Sequence, residues 1–324
     1  MISVRYFEHA DIDKCVALLR RGHDQSFTRR RFEWLHFQNP LAPSLMIVAE
    51  HKGEIVGLYT AIKKHVSING KIYVGARDVD PVVHPDFRGK RIFSRMIEHC
   101  LGTSTDIDFH FNFANNISSH GYIKAGWKVI GFIPECLLQT GYDRIGSKNF
   151  LLYVMSLLKH LRSAKAGKWV DLLKAEDFAG LTPDTGVPVS VVRSQKYLAW
   201  RYLDNPTRSY TFAVETIDNV YSKILVGRYD QERKALLAHD IIFRYPDTET
   251  SVHFVIDAMK KSNFQCLRTW RTCSPSLRRK MISNPLNKRS SLRFLVKERP
   301  GKDLPGHIYH LNSWLLTPGD LEFL

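Results

Sequence analysis

One segment of this chain occurs twice. Trp34-Leu35-His36-Phe37-Gln38-Asn39-Pro40 returns as Trp200-Arg201-Tyr202-Leu203-Asp204-Asn205-Pro206, with Trp, Asn and Pro each displaced by 166 positions and the ring of His36 answered by that of Tyr202. In both copies an aromatic helix ending in Asn-Pro leads into two strands. These are Leu45 to Ala49 and Ile55 to Tyr59 in the first copy, and Tyr210 to Val214 and Lys223 to Val226 in the second. A period this long exceeds that of solenoid repeats and predicts two similar domains side by side. The length of 324 residues accommodates them, at roughly 100 to 200 residues per domain.

The first copy reads as a mixed α/β layer. Ile2 to Tyr6 is a strand, and Ala10 to Arg21 carries Ile12, Cys15, Val16 and Leu19 at the spacing of a helix with one buried face. Asn69-Gly70, flanked by Val66, Ile68, Ile72 and Val74, predicts a type I′ hairpin whose second strand runs toward Val83. A helix from about Gly89 to Leu101 follows. Phe109, Phe111 and Phe113 alternate with polar residues, as in a strand with one covered face. A short helix from Ser118 to Ala125 stops at Gly126, and Trp127 to Phe132 forms a last strand. The expected division is a first domain over 1–145, a connecting amphipathic basic helix over 146–175 and a second domain over 176–324. Within the connection, Asn149 to Lys168 is both apolar and basic; burial between domains is the preferred reading and contact with a membrane surface the other.

Five scattered cysteines without a C-x-x-C pair or a close histidine cluster read as reduced thiols and exclude a zinc site of ordinary spacing. The N-terminus has no apolar signal core and no run reaches the ~20 residues of a membrane-spanning helix, so the expected location is the cytoplasm. Lys plus Arg outnumber Asp plus Glu by 47 to 32, a net charge of +15 that favours an anionic partner. From Arg268 to Lys302 the only acid is Glu298.

The segment that carries chemistry is Asp80-Pro81-Val82-Val83-His84-Pro85-Asp86-Phe87-Arg88-Gly89-Lys90-Arg91-Ile92-Phe93, a strand, a loop and the start of a helix. Backbone N–H groups at such a helix start have no intrahelical acceptor and form a natural cradle for a pyrophosphate. Gly89 permits close approach, and Pro81 removes a ladder donor, so the strand is expected to be irregular there. This segment resembles the coenzyme A motif of the GNAT superfamily of acyl-CoA-dependent N-acyltransferases. That family's loop reads Arg/Gln-x-x-Gly-x-Gly/Ala; aligned from Arg88, this chain has Arg91 and Phe93 where the two small residues belong. A second stretch, Asn115-Asn116-Ile117-Ser118-Ser119-His120-Gly121-Tyr122-Ile123-Lys124-Ala125-Gly126-Trp127, is similar to the family's Asn-x-x-Ala-x-x-x-Tyr-x-Lys-x-Gly-Phe segment. The resemblance covers about Met1 to Phe132. The second copy shows no Arg-Gly turn and looks like a degenerate GNAT domain, giving a tandem layout similar to Eis-like enzymes.

The resemblance implies transfer of an acetyl or other acyl group from coenzyme A to an amine, with acyl-CoA as co-substrate and no metal. Its cofactor residues would be Val82, Val83, Arg88, Gly89, Lys90, Arg91, Ile92, Phe93 and Asn115. Tyr122 matches the tyrosine the family uses as general acid toward the departing thiolate. Asp78 and Asp80, on one face of the cofactor strand by period two, are the candidate bases; His84, His110, Asn112 and His120 are weaker ones. The positive charge favours an anionic or phosphorylated acceptor such as a nucleotide-linked amino sugar. Two other functions compete: a tRNA-dependent aminoacyl or peptide-bridge transferase, and a non-catalytic GNAT-fold binding protein. Nucleic acid is the less favoured partner.

Overall fold

The computed structural model describes residues 1–23, 25–139, 168–183, 186–231, 235–244, 254–255, 258–259, 266–270, 272 and 289–321. The first half runs β1 (Ile2–Tyr6), α1 (Ile12–Gly22), α2 (Arg29–Phe37), β2 (Leu45–His51), β3 (Glu54–Ile68), β4 (Lys71–Val83), α3 (Ile92–Thr103), β5 (Phe109–Ala114), α4 (Asn116–Lys124) and β6 (Lys128–Gln139). The remainder holds β7 (Lys168–Val170), β8 (Thr182–Pro183), β9 (Val189–Val191), α5 (Gln195–Tyr202), β10 (Thr211–Ile217), β11 (Val220–Asp230), β12 (Ala235–Phe243), β13 (Cys266–Trp270), β14 (Arg289–Glu298) and β15 (Trp314–Leu315). The amphipathic stretch 149–168 lies outside the described residues except for Lys168, which begins β7.

Local chemistry explains many of these elements. α1 buries Ile12, Cys15, Val16 and Leu19, as its spacing predicts. Asn69 and Gly70 adopt φ of 51° and 82°, the left-handed pair that a type I′ turn needs, and the hairpin joins two long strands of 15 and 13 residues. In both Asn-Pro segments the asparagine Oδ1 accepts from the backbone N–H two residues on, Asn39 from Leu41 at 3.3 Å and Asn205 from Thr207 at 3.0 Å. That Asx turn ends each aromatic helix and redirects the chain into its strand.

Among the described residues the strands form one mixed sheet in the order β1-β2-β3-β4-β5-β14-β6-β13-β12-β11-β10-β7. Read inward from β2 or from β10, the pairings repeat: antiparallel, antiparallel, parallel, antiparallel. The two series meet at the antiparallel β14–β6 pair. Each series borrows its innermost strand. β14, late in the chain, inserts beside β5, while the far end of β6, Glu135–Gln139, pairs with β13. A cut at residue 145 therefore leaves β14 inside the first half of the sheet.

Trp34 and Trp200 meet where the halves join. Their rings stack at 5.1 Å, Trp34 Nε1 donates to the Trp200 carbonyl at 3.1 Å, and Trp200 Nε1 donates to the Trp34 carbonyl at 3.2 Å. The repeated residue thus packs against its own copy. Such an aromatic pair is worth about 0.5–1.5 kcal/mol beyond its buried area, and both indole donors are satisfied. β5 departs from the expected one-sided strand: all six residues are buried. Phe109 and Phe111 pack on Trp314 from one side, while His110 lies beneath Trp127 on the other, so both faces are covered.

Candidate acyl-transfer site

The site begins with a fault in the sheet. β3 pairs Leu58 with Val82 and Thr60 with Val79, so Asp80 and Pro81 together oppose Tyr59 and form a bulge, with Asp80 at φ 47°. Pro81 cannot donate to the ladder, and the irregularity expected from it is found there. Beside it, β4 and β5 are paired only through Gly75–Arg77 and Phe109–Phe111. Past those residues β4 continues to Val83 and β5 to Ala114 without pairing to each other, leaving a split whose first residues are Asp78 and Asn112.

At the end of β4 the chain turns into α3. Gly89 has φ 79°, and the position a Cβ would take has nothing within 4 Å. Arg91, the N-cap of α3, is also left-handed at φ 58° and gives no side-chain cap, so the first-turn N–H groups receive no acceptor from it. The left-handed backbone explains why a small residue suits this place; the arginine there costs about 1–2 kcal/mol. Arg88, Lys90 and Arg91 are exposed around the turn, with Lys90 Nζ 4.6 Å from the Phe87 ring centre. Val82 and Ile92 are buried and present only backbone to the turn; Val83 is half-buried. Phe93 packs edge-on against Tyr122 at 5.2 Å and Tyr59 at 6.4 Å. Its bulk is accommodated by Gly121, where a Cβ would stand 2.6 Å from the Phe93 ring. Asn115 caps α4, its Oδ1 accepting from Ile117 N at 3.0 Å and Ser118 N at 2.9 Å, so that oxygen is committed to the helix.

Tyr122 is buried, and its hydroxyl has no hydrogen-bond partner of normal geometry. Asp78 and Asn112 stand close enough to act on its ionisation, which burial and then the Asp78 charge push well above the ordinary tyrosine range. The hydroxyl therefore stays protonated beside the split. Asp78 is spoken for: Tyr59 donates to Oδ2, and His110 Nδ1 lies 3.0 Å from Oδ1. Burial raises its carboxyl above the usual range, against the pull of those two partners.

Asp80 has different neighbours, so the expectation that the two carboxylates share one face fails at the bulge. Its Oδ2 is buried without a partner, and burial raises its pKa while Arg31, His23 and Arg77 oppose the rise. His23 Nε2 also lies 3.2 Å from the Pro81 carbonyl. Among the weaker candidates, His84 meets Arg21 at 2.5 Å, His120 Nδ1 meets the Asn116 carbonyl at 2.8 Å, and Asn112 Oδ1 accepts from Phe113 N at 2.7 Å. These are local structural contacts.

Sequence reasoning missed a group of cations supplied by both halves. Arg31, which acts on Asp80, also acts on Arg208 together with Arg228 and Arg201. Burial first, and then Arg228, bring the Arg208 guanidinium down to about 10. Arg228 Nε is buried with no hydrogen-bond partner. The signal available was that Arg31 lies in the repeated aromatic helix and that Arg208 follows the second Asn-Pro; no short motif joins them.

The mixed sheet with its bulged and split β4 is a GNAT-like fold. Residues 3–130 match the family model described as the acetyltransferase (GNAT) domain. Three solved structures share the fold. A "Probable N-Acyltransferase" from Enterococcus faecalis V583 is 10% identical at TM-score 0.63, covering 92% of this chain and 72% of that one. A GCN5-related N-acetyltransferase from Kribbella flavida is 11% identical at TM-score 0.57, covering 92% and 71%. The N-myristoyltransferase of Saccharomyces cerevisiae, solved with bound myristoyl-CoA, is 11% identical at TM-score 0.55, covering 92% and 79%. No curated protein matches the chain by sequence. Among the described residues no helix is long and apolar enough to cross a membrane, and no cluster of side chains suited to a metal ion occurs.

Proposed function

We propose that this protein transfers an acyl group from coenzyme A to the amine of an anionic small molecule. The observation that carries this reading is the Tyr122 hydroxyl, buried beside Asp78 and Asn112 without a well-formed hydrogen bond where β4 and β5 part. A buried donor without a partner costs about 1–3 kcal/mol, and an acceptor atom placed in the split would remove that cost.

The residues present suit an acyl-coenzyme A. The open space at Gly89 and the first-turn N–H groups of α3 fit a pyrophosphate, with Arg88, Lys90 and Arg91 adding charge around it. Val82, Val83, Ile92 and Phe93 shape the turn, and Asn115 acts indirectly by capping the helix that carries Tyr122. When bound, the acyl-coenzyme A supplies a thioester carbonyl and a thiolate leaving group. Tyr122 donates the proton to that sulfur. Asp80, with a free carboxylate oxygen, takes one from the acceptor's ammonium; Asp78, doubly hydrogen-bonded, positions Tyr59 and His110 instead. Arg31, Arg208 and Arg228 draw the acceptor's negative group to the Asp80 side of the split.

On this reading the chain is two GNAT-like domains. The first holds the cofactor, and the second, which lacks the turn, lends Arg208 and Arg228. Calorimetric titration with acetyl-CoA, then a mass-spectrometric screen of amines with and without carboxylate or phosphate groups, tests it. Saturable binding and acylation confined to anionic amines are expected; no binding, or transfer to neutral amines with equal efficiency, would overturn it.

A further inference from the structure

The second half keeps two buried polar groups that its own chain does not use. β12 carries an extra residue, His239, between the pairs Val226–Asp240 and Gly227–Ala238 of its ladder with β11. His239 is fully buried, its ring edge-on to Tyr210 at 5.1 Å, and neither ring nitrogen has a hydrogen-bond partner of normal geometry. Burial, and then Arg201, Arg228 and Arg208, hold its pKa well below the usual histidine range, against the weaker opposing action of the Pro318 carbonyl, so the ring is neutral. Arg228 stands on the adjacent strand, paired with Leu237 two residues before His239, and its buried Nε also lacks a partner. Buried polar groups are nearly always hydrogen-bonded, and a guanidinium edge beside an imidazole calls for an acceptor. The nearby carboxylates do not supply one. Asp240 is taken up by Arg193 at 2.9 Å, Thr317 at 2.7 Å and Tyr202, while Asp320 Oδ2 accepts from Arg193 and from Thr317 N. Arg201, also fully buried, spends its three nitrogens on neutral acceptors: the Gly319 carbonyl at 3.1 Å, the Tyr210 hydroxyl at 2.7 Å and the Leu321 carbonyl at 2.7 Å. Among the described residues no carboxylate bonds Arg201, Arg228 or His239.

We infer that Arg228 and His239 bind the carboxylate of the acceptor, which is then a small amino acid-like molecule with its amine toward Asp80. The Arg228 edge is a planar fork that matches the two oxygens of a carboxylate, and the neutral ring adds an N–H without adding charge. A phosphate monoester brings three oxygens and a second negative charge. With Arg201 committed to neutral acceptors, one fork and one ring leave part of that dianion unsatisfied in a buried place, which is costly. The two ends of the acceptor are joined by a common field: Arg31 acts both on Asp80 and on Arg208, and Arg208 acts on His239. The inference rests on the acyl-transfer reading for the amine alone; the carboxylate site stands on its own donors.

Calorimetric titration of the full chain with succinate, and in parallel with inorganic phosphate, at constant ionic strength and without coenzyme A, tests it directly. Saturable binding of succinate, tighter than that of phosphate, is expected. Arg228→Met should weaken succinate binding at least about tenfold, the loss of a charge-assisted pair, and Arg228→Lys should recover little of it because a point charge replaces the fork. His239→Gln, which keeps a neutral donor, should lose less than His239→Phe; if circular dichroism shows that the phenylalanine variant does not fold, Arg228→Met decides. No succinate binding to the parent protein, binding undiminished in Arg228→Met, full recovery in Arg228→Lys, or tighter binding of phosphate would overturn the inference. Because coenzyme A is absent from these titrations, such a result leaves acyl transfer standing, and a failure of acetyl-CoA to bind leaves the carboxylate site standing.

Discussion

The two halves of the sheet carry the same fault and treat it in opposite ways. In the first, β4 bulges at Asp80 and parts from β5 beyond Arg77. In the second, β12 has an extra residue at His239, between the pairs Val226–Asp240 and Gly227–Ala238, and it is paired with β13 only at Leu236 and Leu237. The first split keeps a buried hydroxyl without a well-formed hydrogen bond, Tyr122, and a partnerless carboxylate oxygen, Asp80 Oδ2. Beside the second, Arg193 bonds Asp240 and Asp320 at 2.9 Å each, Thr317 bonds Asp240 at 2.7 Å, and Tyr202 donates to Asp240. The segment around Gly319 is pressed so close that a Cβ there would stand 2.2 Å from the Tyr202 hydroxyl. Buried charges persist when their lone pairs and protons are satisfied. The second split is packed by the chain's own Arg193, Thr317 and Tyr202, although there too both His239 ring nitrogens and Asp320 Oδ1 are left without partners.

The largest effect that would break this contrast is expected at Tyr122. Tyr122→Phe deletes only the hydroxyl and keeps the ring against Phe93 and Trp127. Turnover should fall roughly a hundredfold to ten-thousandfold, the usual range for a placed general acid, with acetyl-CoA affinity little changed. Parental turnover, measured with a confirmed acceptor where chemistry limits the rate, would reduce Tyr122 to a packing residue. In the second half the matching experiment is Arg193→Met, which strands Asp240 and Asp320. Removing one partner of such a buried network costs about 3–5 kcal/mol, to be read by denaturant unfolding. Loss of acetyl-CoA binding in a folded Arg193→Met protein would mean that the second half takes part in holding the cofactor.

Gly89→Val sharpens the comparison at the turn. At φ 79° a β-branched residue is strained, and its side chain would fill the space where the backbone meets a pyrophosphate. Coenzyme A affinity should fall at least about tenfold, while circular dichroism stays close to the parent's and the melting temperature drops by only a few degrees, roughly what the strain of a left-handed valine costs. Unchanged affinity by calorimetry would move the cofactor elsewhere.

What the sequence made legible is what short range decides. Asn-Gly requires a hairpin, Pro81 disturbs its strand, and Gly89 before an apolar helix marks a turn, each from a few neighbouring residues. The Trp-Asn-Pro repeat was visible as a pattern, yet nothing local says that the two tryptophans stack on each other. The insertion of β14 between β5 and β6 joins residues some 180 positions apart, as in the pairing of Arg293 with Ala114, and the packing of Trp314 on β5 is as distant in sequence. The bulge had a similar effect on the candidate bases. Strict alternation puts Asp78 and Asp80 together, and one extra residue in the ladder gives them different partners. Arg31, Arg208 and Arg228 became neighbours only through the packing of the halves.

The smallest effect is expected at Asp80, and its pH dependence is more informative than its size. An amine held against a thioester can lose its proton to water, so proximity supplies much of the rate, and Asp80→Asn should cost only on the order of tenfold at neutral pH. Burial raises the Asp80 pKa, so the base form appears only as pH rises through that value, and parental turnover should climb there. Asp80→Asn should lose that limb. Stability carries the same sign: a carboxyl whose folded pKa is raised contributes stability present below its unfolded pKa and lost as pH rises through the folded one. The asparagine variant should therefore gain stability relative to the parent as pH rises through that window, read by denaturant unfolding across a pH series. A variant that keeps the rising limb would assign the base to another group. If the stability difference instead grew as pH fell, the Asp80 carboxylate would be stabilised by Arg31 and Arg77 more than burial disfavours it, and its place in the first split would be that of a structural ion pair, like those that seal the second.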